Sequence, residues 1–215
     1  MIEPSYIVTI GIISAEGVTF LGTGFFVGKD KVATSRHVVK GHVSNIVISL
    51  SEINSYSEYQ DTTLNKNRCI RVNIIEEDPV RDLCILKLVE GEFNGPVLHM
   101  RSTDSVSVGE QVGILGYPHC NEGRKVLTFQ IATVGAKVLL SSSNVKTKHA
   151  ILNLQTRPGQ SGSLIFNLKN NAAIGILIGA YANKSVGYVT IGNINPADLH
   201  QTTHAVSAEY LKDML

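Results

Sequence analysis

The stretch that decides the fold reads Arg157-Pro158-Gly159-Gln160-Ser161-Gly162-Ser163-Leu164-Ile165-Phe166. Ser161 lies in a short segment bounded by Gly159 and Gly162, and a strand-like apolar run follows at once. Glycine allows the backbone to turn tightly and to point successive N–H groups into one small hollow. A serine hydroxyl beside such a hollow is a nucleophile with donors waiting for an oxyanion, which acyl transfer requires. Most Gly-Ser pairs are ordinary turns, so this interpretation depends on partners elsewhere in the chain.

A histidine in a glycine-punctuated context lies upstream. The segment Gly22–Gly28 reads GTGFFVG, and Val32–Val39 follows it, which puts His37 at the end of a predicted strand. Histidine suits the role of general base because its ordinary pKa of about 6.5 lets it take and return a proton at neutral pH. His37 is one of seven histidines, most of which we expect to be structural. The hairpin pattern before His37 favours a catalytic role for this one.

An acid opens the apolar segment Arg81–Leu88. A carboxylate at this edge, that of Asp82, can hold the second ring nitrogen of the histidine and fix its tautomer. The alternative is that Asp82 only caps the strand. Asp78 is the local rival, but it precedes Pro79 in a predicted turn and is a poorer orienting acid.

The order of these three residues along the chain separates two classes of hydrolase. The sequence runs His37, Asp82, Ser161, which is the order of the chymotrypsin triad, whereas α/β-hydrolases run Ser, acid, His. The hydrolase elbow G-x-S-x-G also fails, because Ser163 stands where the last glycine is needed. The absence of an alternating strand-helix pattern argues against that fold again.

On these three motifs the chain resembles the trypsin-like serine peptidases of the chymotrypsin fold. The resemblance points in particular to the disulfide-free bacterial group that includes HtrA (Deg) proteases and glutamyl endopeptidases. It extends from about Tyr6 to Leu215, and we expect no PDZ domain in this chain. The fold that it implies is all-β, with two six-stranded antiparallel β-barrels and a short C-terminal helix.

The resemblance also implies roles for individual residues. Ser161 is the acylating nucleophile, His37 is the general base and then the acid, and Asp82 is the orienting acid. The backbone N–H groups of Gly159 and Ser161 form the oxyanion hole. Gln160 stands where secreted trypsins carry the aspartate that pairs with a new N-terminus, so we expect no zymogen switch of that kind.

Short strands separated by Gly, Asn, Asp and Ser support the two-barrel organisation. Residues 1–100 are predicted to form the barrel that carries His37 and Asp82, and residues 101–215 the barrel that carries Ser161. Individual predictions, which the structure tests where it describes them, include strands over Val126–Leu140, Ala150–Leu154 and Val186–Ile191, a long surface loop over Ser51–Asn67 and a helix over Ser207–Leu215 capped by Ser207.

The pocket for the residue before the cleaved bond follows only from the resemblance. Thr156 resembles the threonine that glutamyl endopeptidases use there, but Leu177 stands where their pocket histidine falls. No acid is present at the pocket floor, so a small or apolar uncharged side chain is expected rather than Arg or Lys. His204 could enter the wall and change that preference, or lie in a surface loop. The expected wall consists of Gln155, Thr156, Leu177, Ile178, Gly179 and His204.

Composition and charge limit the classes of function and the cellular compartment that we expect for this chain. The net charge of +1 does not favour a nucleic-acid or membrane role. The longest apolar run, Ala172–Ala182, is too short to span a bilayer, and the N-terminus lacks the basic and apolar regions of a secretory signal. Three cysteines without CxxC spacing indicate neither a disulfide framework nor a zinc site. We therefore expect a cytoplasmic protein that has no cofactor and no metal.

The sequence thus predicts a serine endopeptidase whose partner is a protein or peptide substrate. Two alternatives stay open. The chain could be a binding scaffold that keeps the fold but is catalytically idle, or a peptidase that is latent until an activating protein partner binds.

Overall fold

The computed structural model describes residues 1–42, 44–63, 68–181 and 202–215. Within these ranges the strands form two closed antiparallel barrels of six strands each, which confirms the predicted all-β class. The first barrel has the order β1-β2-β3-β6-β5-β4. Its strands are β1 Ile7–Ser14, β2 Gly17–Phe26, β3 Lys31–Ser35, β4 Ile46–Ser49, β5 Cys69–Asp78 and β6 Leu83–Leu88.

The second barrel repeats this plan with the order β10-β11-β12-β9-β8-β7. The division predicted at residue 100 lies in the connection between β6 and β7. The strands of this barrel are β7 Gln111–Gly116, β8 Thr128–Ser142, β9 Val145–Leu152, β10 Leu164–Asn167, β11 Ala173–Tyr181 and β12 Thr202–Ser207.

The hairpin of β8 and β9 is longer than the sequence pattern indicated. Its two-residue turn, Ser143 and Asn144, has positive φ at both positions, the geometry that matches the twist of paired strands. The outer part of the hairpin is largely exposed, and its buried positions, Thr147 and His149, are polar, so the sequence gives little signal for a buried face there. The predicted strand over Val186–Ile191 lies outside the described residues.

In the residues that the structure describes, helical structure is limited to short segments. The α-helical turn α1, Arg36–Val39, follows β3, and 3₁₀ turns cover Pro4–Tyr6, Thr103–Ser105 and Cys120–Glu122. The predicted terminal helix is a 3₁₀ helix over Ala208–Met214. The prediction that Ser207 caps it was wrong, because the Ser207 hydroxyl instead accepts the N–H of Thr103 at 3.0 Å. Among the described residues, no helix combines the length and apolar character needed to cross a membrane.

Two groups of buried apolar side chains hold the barrels. One fills the second barrel and includes Val112, Ile114 and Leu177. The other begins in the first barrel and continues onto the outward faces of β10 to β12, through residues such as Leu164 and Ile176. Full burial of a side chain of this size contributes about 1.5–3 kcal/mol. The continuous core therefore fixes the two barrels against each other at the junction that carries the candidate site.

Candidate active site

His37 and Asp82 meet at the edge of the first barrel. His37 lies in α1, and its Nδ1 is 2.5 Å from Oδ2 of Asp82. The backbone N–H of His37 donates to the other carboxylate oxygen at 2.9 Å. The carbonyl of Asp82 in turn accepts the N–H of Arg36 at 2.9 Å. Because each end of the pair is held by a second contact, the imidazole has a defined orientation and a defined tautomer.

The backbone before β6 explains how the carboxylate reaches the histidine. Asp82 has φ of 59°, the left-handed region that non-glycine residues seldom adopt. Residues held in such geometry cluster at functional sites. The rival, Asp78, turns away, since it accepts the N–H groups of Val80 and Arg81 and binds the Arg81 guanidinium at 2.5 Å.

Glycine is required at two positions of the serine loop. Gly159 and Gly162 both have φ of 85°. A Cβ atom at Gly162 would lie 2.0 Å from the carbonyl oxygen of Thr23, and one at Gly159 would lie 2.8 Å from that of Tyr117. The loop that carries Ser161 can therefore approach its neighbours this closely only with glycine on both sides.

The side chain of Gln160 holds this loop from inside. It is fully buried, and its Oε1 accepts the N–H of Arg157 at 2.7 Å. Its Nε2 donates to Oε1 of Gln130 on β8, also at 2.7 Å. A neutral amide thus fixes the turn from Arg157 to Gln160, with no ion pair.

The orientation of the peptide before Gly159 leaves two donors available. The carbonyl of Pro158 accepts the N–H of His119 at 2.6 Å, and a planar trans peptide then directs the N–H of Gly159 to the opposite side. In the described part of the chain, neither the N–H of Gly159 nor that of Ser161 has an acceptor. Both are free to donate to an oxygen atom from outside the protein.

The two halves of the site come together around one glycine and one carbonyl group. A Cβ atom at Gly22 would lie 2.9 Å from Val38 in α1 and 3.0 Å from the carbonyl oxygen of Ser161. The carbonyl of Leu177 accepts both the Ser35 hydroxyl at 3.1 Å and the N–H of Gly162 at 2.7 Å. The turn that carries His37 and the loop that carries Ser161 are thereby fixed as neighbours.

Thr23 holds the serine loop in place, a contact that the sequence motifs did not reveal. Its N–H donates to the carbonyl of Ser161 at 2.9 Å, and its hydroxyl donates to the carbonyl of Gly159 at 2.9 Å. The same hydroxyl accepts the N–H of Tyr117 at 3.0 Å. Thr23 therefore links the first barrel to both ends of the serine segment. The available signal was a threonine between two glycines, but its partners lie far away in sequence.

The residues of the predicted specificity pocket are distributed around β11 and β12. Gly179 has φ of 129° with open space where a side chain would stand, and it pairs with His204 of β12. Ile178 is partly buried. The side chain of Leu177 is directed into the core of the second barrel, so Leu177 meets the serine loop through its backbone.

The remaining two pocket residues precede the serine loop. Gln155 is exposed and Thr156 is half-buried. The Thr203 hydroxyl donates to the carbonyl of Leu154, which draws this segment against β12 and hence toward His204.

A second histidine, His149 on β9, lies beside His204. The two ring centroids are 6.5 Å apart, and Nδ1 of His149 is buried without a hydrogen-bond partner. Burial, and then the proximity of His204, lowers the pKa of His149 to about 4. Burial also lowers the pKa of His204. Both imidazoles are therefore neutral at pH 7.

The thiols of the site region are buried, and potential metal ligands are scattered over the described ranges. There, no three His, Cys, Asp or Glu side chains are grouped so as to hold a metal ion. The thiols of Cys84 and Cys120 are buried, and burial raises the pKa of each to about 12. Thiols with such pKa values are poor nucleophiles at neutral pH.

Two packed six-stranded barrels with a His-Asp pair on one and a glycine-bounded serine loop on the other define the chymotrypsin class of fold. The family model described as "Trypsin-like peptidase domain" matches residues 22–176. The chain belongs to this family.

Relatives and solved structures agree with this assignment. A glutamyl endopeptidase of Staphylococcus epidermidis is 30% identical over 181 residues, which cover 80% of this chain and 58% of the relative. The chain thus spans less than two thirds of the length of that relative. The MamO protease domain of Magnetospirillum magneticum has a TM-score of 0.68 at 19% identity and covers 99% of this chain and 96% of its own.

A protease of M. tuberculosis, Rv3671c, has the same fold. In its active form it has a TM-score of 0.68 at 20% identity, with 98% of this chain and 79% of its own covered. Its inactive form gives a TM-score of 0.67 at 19% identity, with 98% of this chain and 87% of its own covered.

Proposed function

We propose that this chain is a serine endopeptidase that cleaves peptide bonds through His37, Asp82 and Ser161. Ser161 Oγ attacks the carbonyl carbon, and His37 takes its proton. The imidazolium then protonates the leaving amine as the C–N bond breaks, which leaves an acyl-enzyme. Water, deprotonated by His37, attacks the ester and releases the acid, and the proton returns to Ser161.

The observation that carries this proposal is the double contact between His37 and Asp82. A carboxylate at 2.5 Å from Nδ1 keeps the proton on that nitrogen and leaves Nε2 as the base. The carboxylate also stabilises the imidazolium that forms during attack. Asp78, which lies only four residues earlier, is bound to Arg81 instead and has no such contact.

The free N–H groups of Gly159 and Ser161 support an oxyanion hole. Preorganised donors of this kind stabilise the negative charge that develops on the attacked carbonyl oxygen, and removal of one costs about 3–4 kcal/mol of transition-state stabilisation. A catalytically idle form would have the Pro158–Gly159 peptide turned over. The hydrogen bond from His119 to the carbonyl of Pro158 opposes that turn.

The hydrogen bonds of the uncharged Gln160 side chain support activity without proteolytic activation. Its amide satisfies the N–H of Arg157 and the side chain of Gln130, so the loop has its internal partners already. We therefore expect this loop to keep its shape without an ion pair to a charged N-terminus.

A fluorophosphonate probe tests the assignment directly. We expect labelling of the native protein at Ser161, no labelling of Ser161→Ala, and strongly slowed labelling of His37→Ala. Ser163→Ala is the matched control, because Ser163 lies two residues further on with its hydroxyl buried, and it should label normally. Equal labelling of Ser161→Ala would refute the assignment. Labelling in lysate but not with pure protein would favour the partner-activated alternative.

For the residue before the cleaved bond, we propose an uncharged side chain at neutral pH. Burial keeps His204 neutral, and Leu177 offers no charge, so this pocket lacks a fixed partner for glutamate. Matched peptides with Ala, Leu, Glu or Lys at that position test this. A glutamate preference that grows as the pH falls would contradict it and would assign His204 as the anion-binding group, in line with the name of the staphylococcal relative.

A further inference from the structure

A cavity of about 230 Å³ opens between the first barrel and the turn that follows β7. Its apolar wall is formed by Phe20 of β2, Ile53 and Tyr117. The described part of the loop after β4 closes the other side with Glu58 and Asp61. The polar segment that the sequence indicated only as a surface loop therefore forms one wall of a concave site.

This cavity adjoins the serine loop. Phe20 lies three residues before Thr23, whose N–H is bonded to the carbonyl of Ser161, and an extended chain covers roughly 10 Å over three residues. Tyr117, on the facing wall, donates its N–H to the hydroxyl of Thr23. The contact between Gly162 and β11 belongs to the other flank of the loop, where the specificity pocket is proposed.

A substrate bound across Ser161 has its acyl part on one flank of the serine loop and its leaving part on the opposite flank. The acyl part is assigned to β11 and β12, so the leaving part runs toward the cavity. At about 3.3 Å per residue, its second or third residue after the cleaved bond reaches Phe20.

The charges on the wall select a cation. Glu52 is paired with Lys125 at 3.3 Å, and the Lys125 ammonium lies 5.9 Å from the centroid of the Phe20 ring. Glu58 and Asp61 have no ion-pair partner among the described residues. Hydrogen bonds from Thr63 lower the pKa of Asp61, so this carboxylate is ionised at neutral pH. One ammonium is thus already accommodated by a carboxylate and this ring, and two carboxylates are left for a second cation.

We propose that the cavity binds a lysine or arginine side chain of the substrate, two or three residues after the cleaved bond. The aliphatic stem of such a side chain packs on Phe20 and Ile53, while its charged head meets Glu58 and Asp61. This assignment rests on the proposed function. It adds a preference for a residue after the cleaved bond to the preference of the pocket that binds the residue before it.

Binding to Ser161→Ala protein tests the cavity without catalysis. Two peptides that differ only by Lys or norleucine at the second and third positions after the intended bond are titrated by calorimetry at low salt. We expect the lysine peptide to bind about tenfold more tightly, with the difference shrinking at high salt because screening weakens exposed charge pairs. Equal affinities at low salt would overturn the proposal.

Charge variants locate the effect. Glu58→Gln with Asp61→Asn should abolish the preference for lysine, whereas Glu90→Gln with Glu92→Gln removes the same charge outside the lining of the cavity and should retain it. If both double variants lose the preference equally, the effect reflects net charge and the site assignment is wrong.

The same peptide pair given to the active protein separates this proposal from the proposed function. Cleavage of both peptides at equal rates would overturn the cavity assignment and leave the peptidase intact. Failure to cleave any peptide, with lysine-selective binding retained, would overturn the peptidase assignment and leave the cavity as a binding site for basic chains.

Discussion

The two barrels contribute to the candidate site in different ways. The first barrel supplies side-chain chemistry, since His37 and Asp82 are held by hydrogen bonds that many sequences could form. The second supplies backbone geometry, because Gly159 and Gly162 adopt a conformation that only glycine adopts without strain. A substitution of His37 or Asp82 should therefore change the rate with little effect on folding, while one of Gly159 or Gly162 should change both.

The largest expected effect tests the first barrel alone. Asp82→Asn keeps the shape of the side chain but favours the wrong histidine tautomer, so we expect kcat/KM to fall about 10⁴-fold with a nearly unchanged melting temperature. Peptide hydrolysis and thermal unfolding measure the two quantities. Asp78→Asn is the control, because that carboxylate binds Arg81 and should affect the rate less than about threefold. Similar rate losses in both variants would contradict the geometry of the site.

The next effect tests the second barrel. Gly162→Ala introduces a Cβ atom 2.0 Å from the carbonyl of Thr23 at φ of 85°, so we expect the rate to fall about 10²-fold or more and stability to fall by about 1–3 kcal/mol. Gly41→Ala is matched in φ, at 86°, but has open space around it. The control should lose stability by about 1 kcal/mol and keep its activity. An active Gly162→Ala protein would mean that the close approach is not needed.

The connection between the barrels should have an intermediate effect. Thr23→Val removes the hydroxyl that donates to Gly159 and accepts from Tyr117, and it leaves these buried groups unsatisfied. We expect a loss of about 2–3 kcal/mol in the free energy of unfolding and roughly a tenfold drop in kcat/KM. Thr23→Ser restores the hydroxyl and should recover most of both. If valine and serine behave alike in denaturant titration and kinetics, the hydroxyl does not position the loop.

The smallest expected effect concerns His149, a buried histidine of the second barrel, and the pH dependence of stability. Burial lowers the pKa of His149 to about 4, below the value of about 6.5 in the unfolded chain. The unfolded state then binds more protons between these values, so stability is retained above pH 6.5 and is lost as the pH falls toward 4. His149→Leu should remove on the order of 2–3 kcal/mol of this loss, and His204 accounts for part of what is left. Chemical unfolding of the native protein and of His149→Leu from pH 7 to 4.5 measures the free energy of unfolding of each. If the two proteins lose stability in parallel as the pH falls, His149 is not buried in its neutral form.

Much of the fold could be predicted because strand periodicity is local. The runs around Gly22, Leu83 and Leu164 alternate or stay apolar over a few residues, and such patterns need no knowledge of distant partners. The tip of the hairpin from β8 to β9, residues 141–149, escaped prediction, since its buried positions, Thr147 and His149, are polar and give no apolar alternation. Ser207 was assigned as a helix cap because a serine before a helical segment is a local signal. Its hydroxyl has a partner in Thr103, which no local rule would suggest.

The types of residue and their order along the chain predict the three site residues. They do not predict the contacts that hold these residues in place. His37, Asp82 and Ser161 stand in short motifs that can be recognised one at a time. The roles of Thr23, Gln160 and Gln130 depend on contacts across many residues of sequence, as does the pairing of His149 with His204. Nothing in the composition of Ser51–Asn67 indicated that part of it would form the wall of a cavity.

The sequence by itself determined the fold class, the order of the three proposed catalytic residues and the need for glycine around Ser161, because these depend on local periodicity and on backbone sterics. Only the tertiary structure decided that Asp82 rather than Asp78 meets His37, that the carbonyl of Pro158 faces His119, and that Glu58 and Asp61 line the same cavity as Phe20. The physical reason is distance. A hydrogen bond or an ion pair forms only when chain closure brings its partners within about 3–4 Å, and that closure depends on the packing of both barrels together.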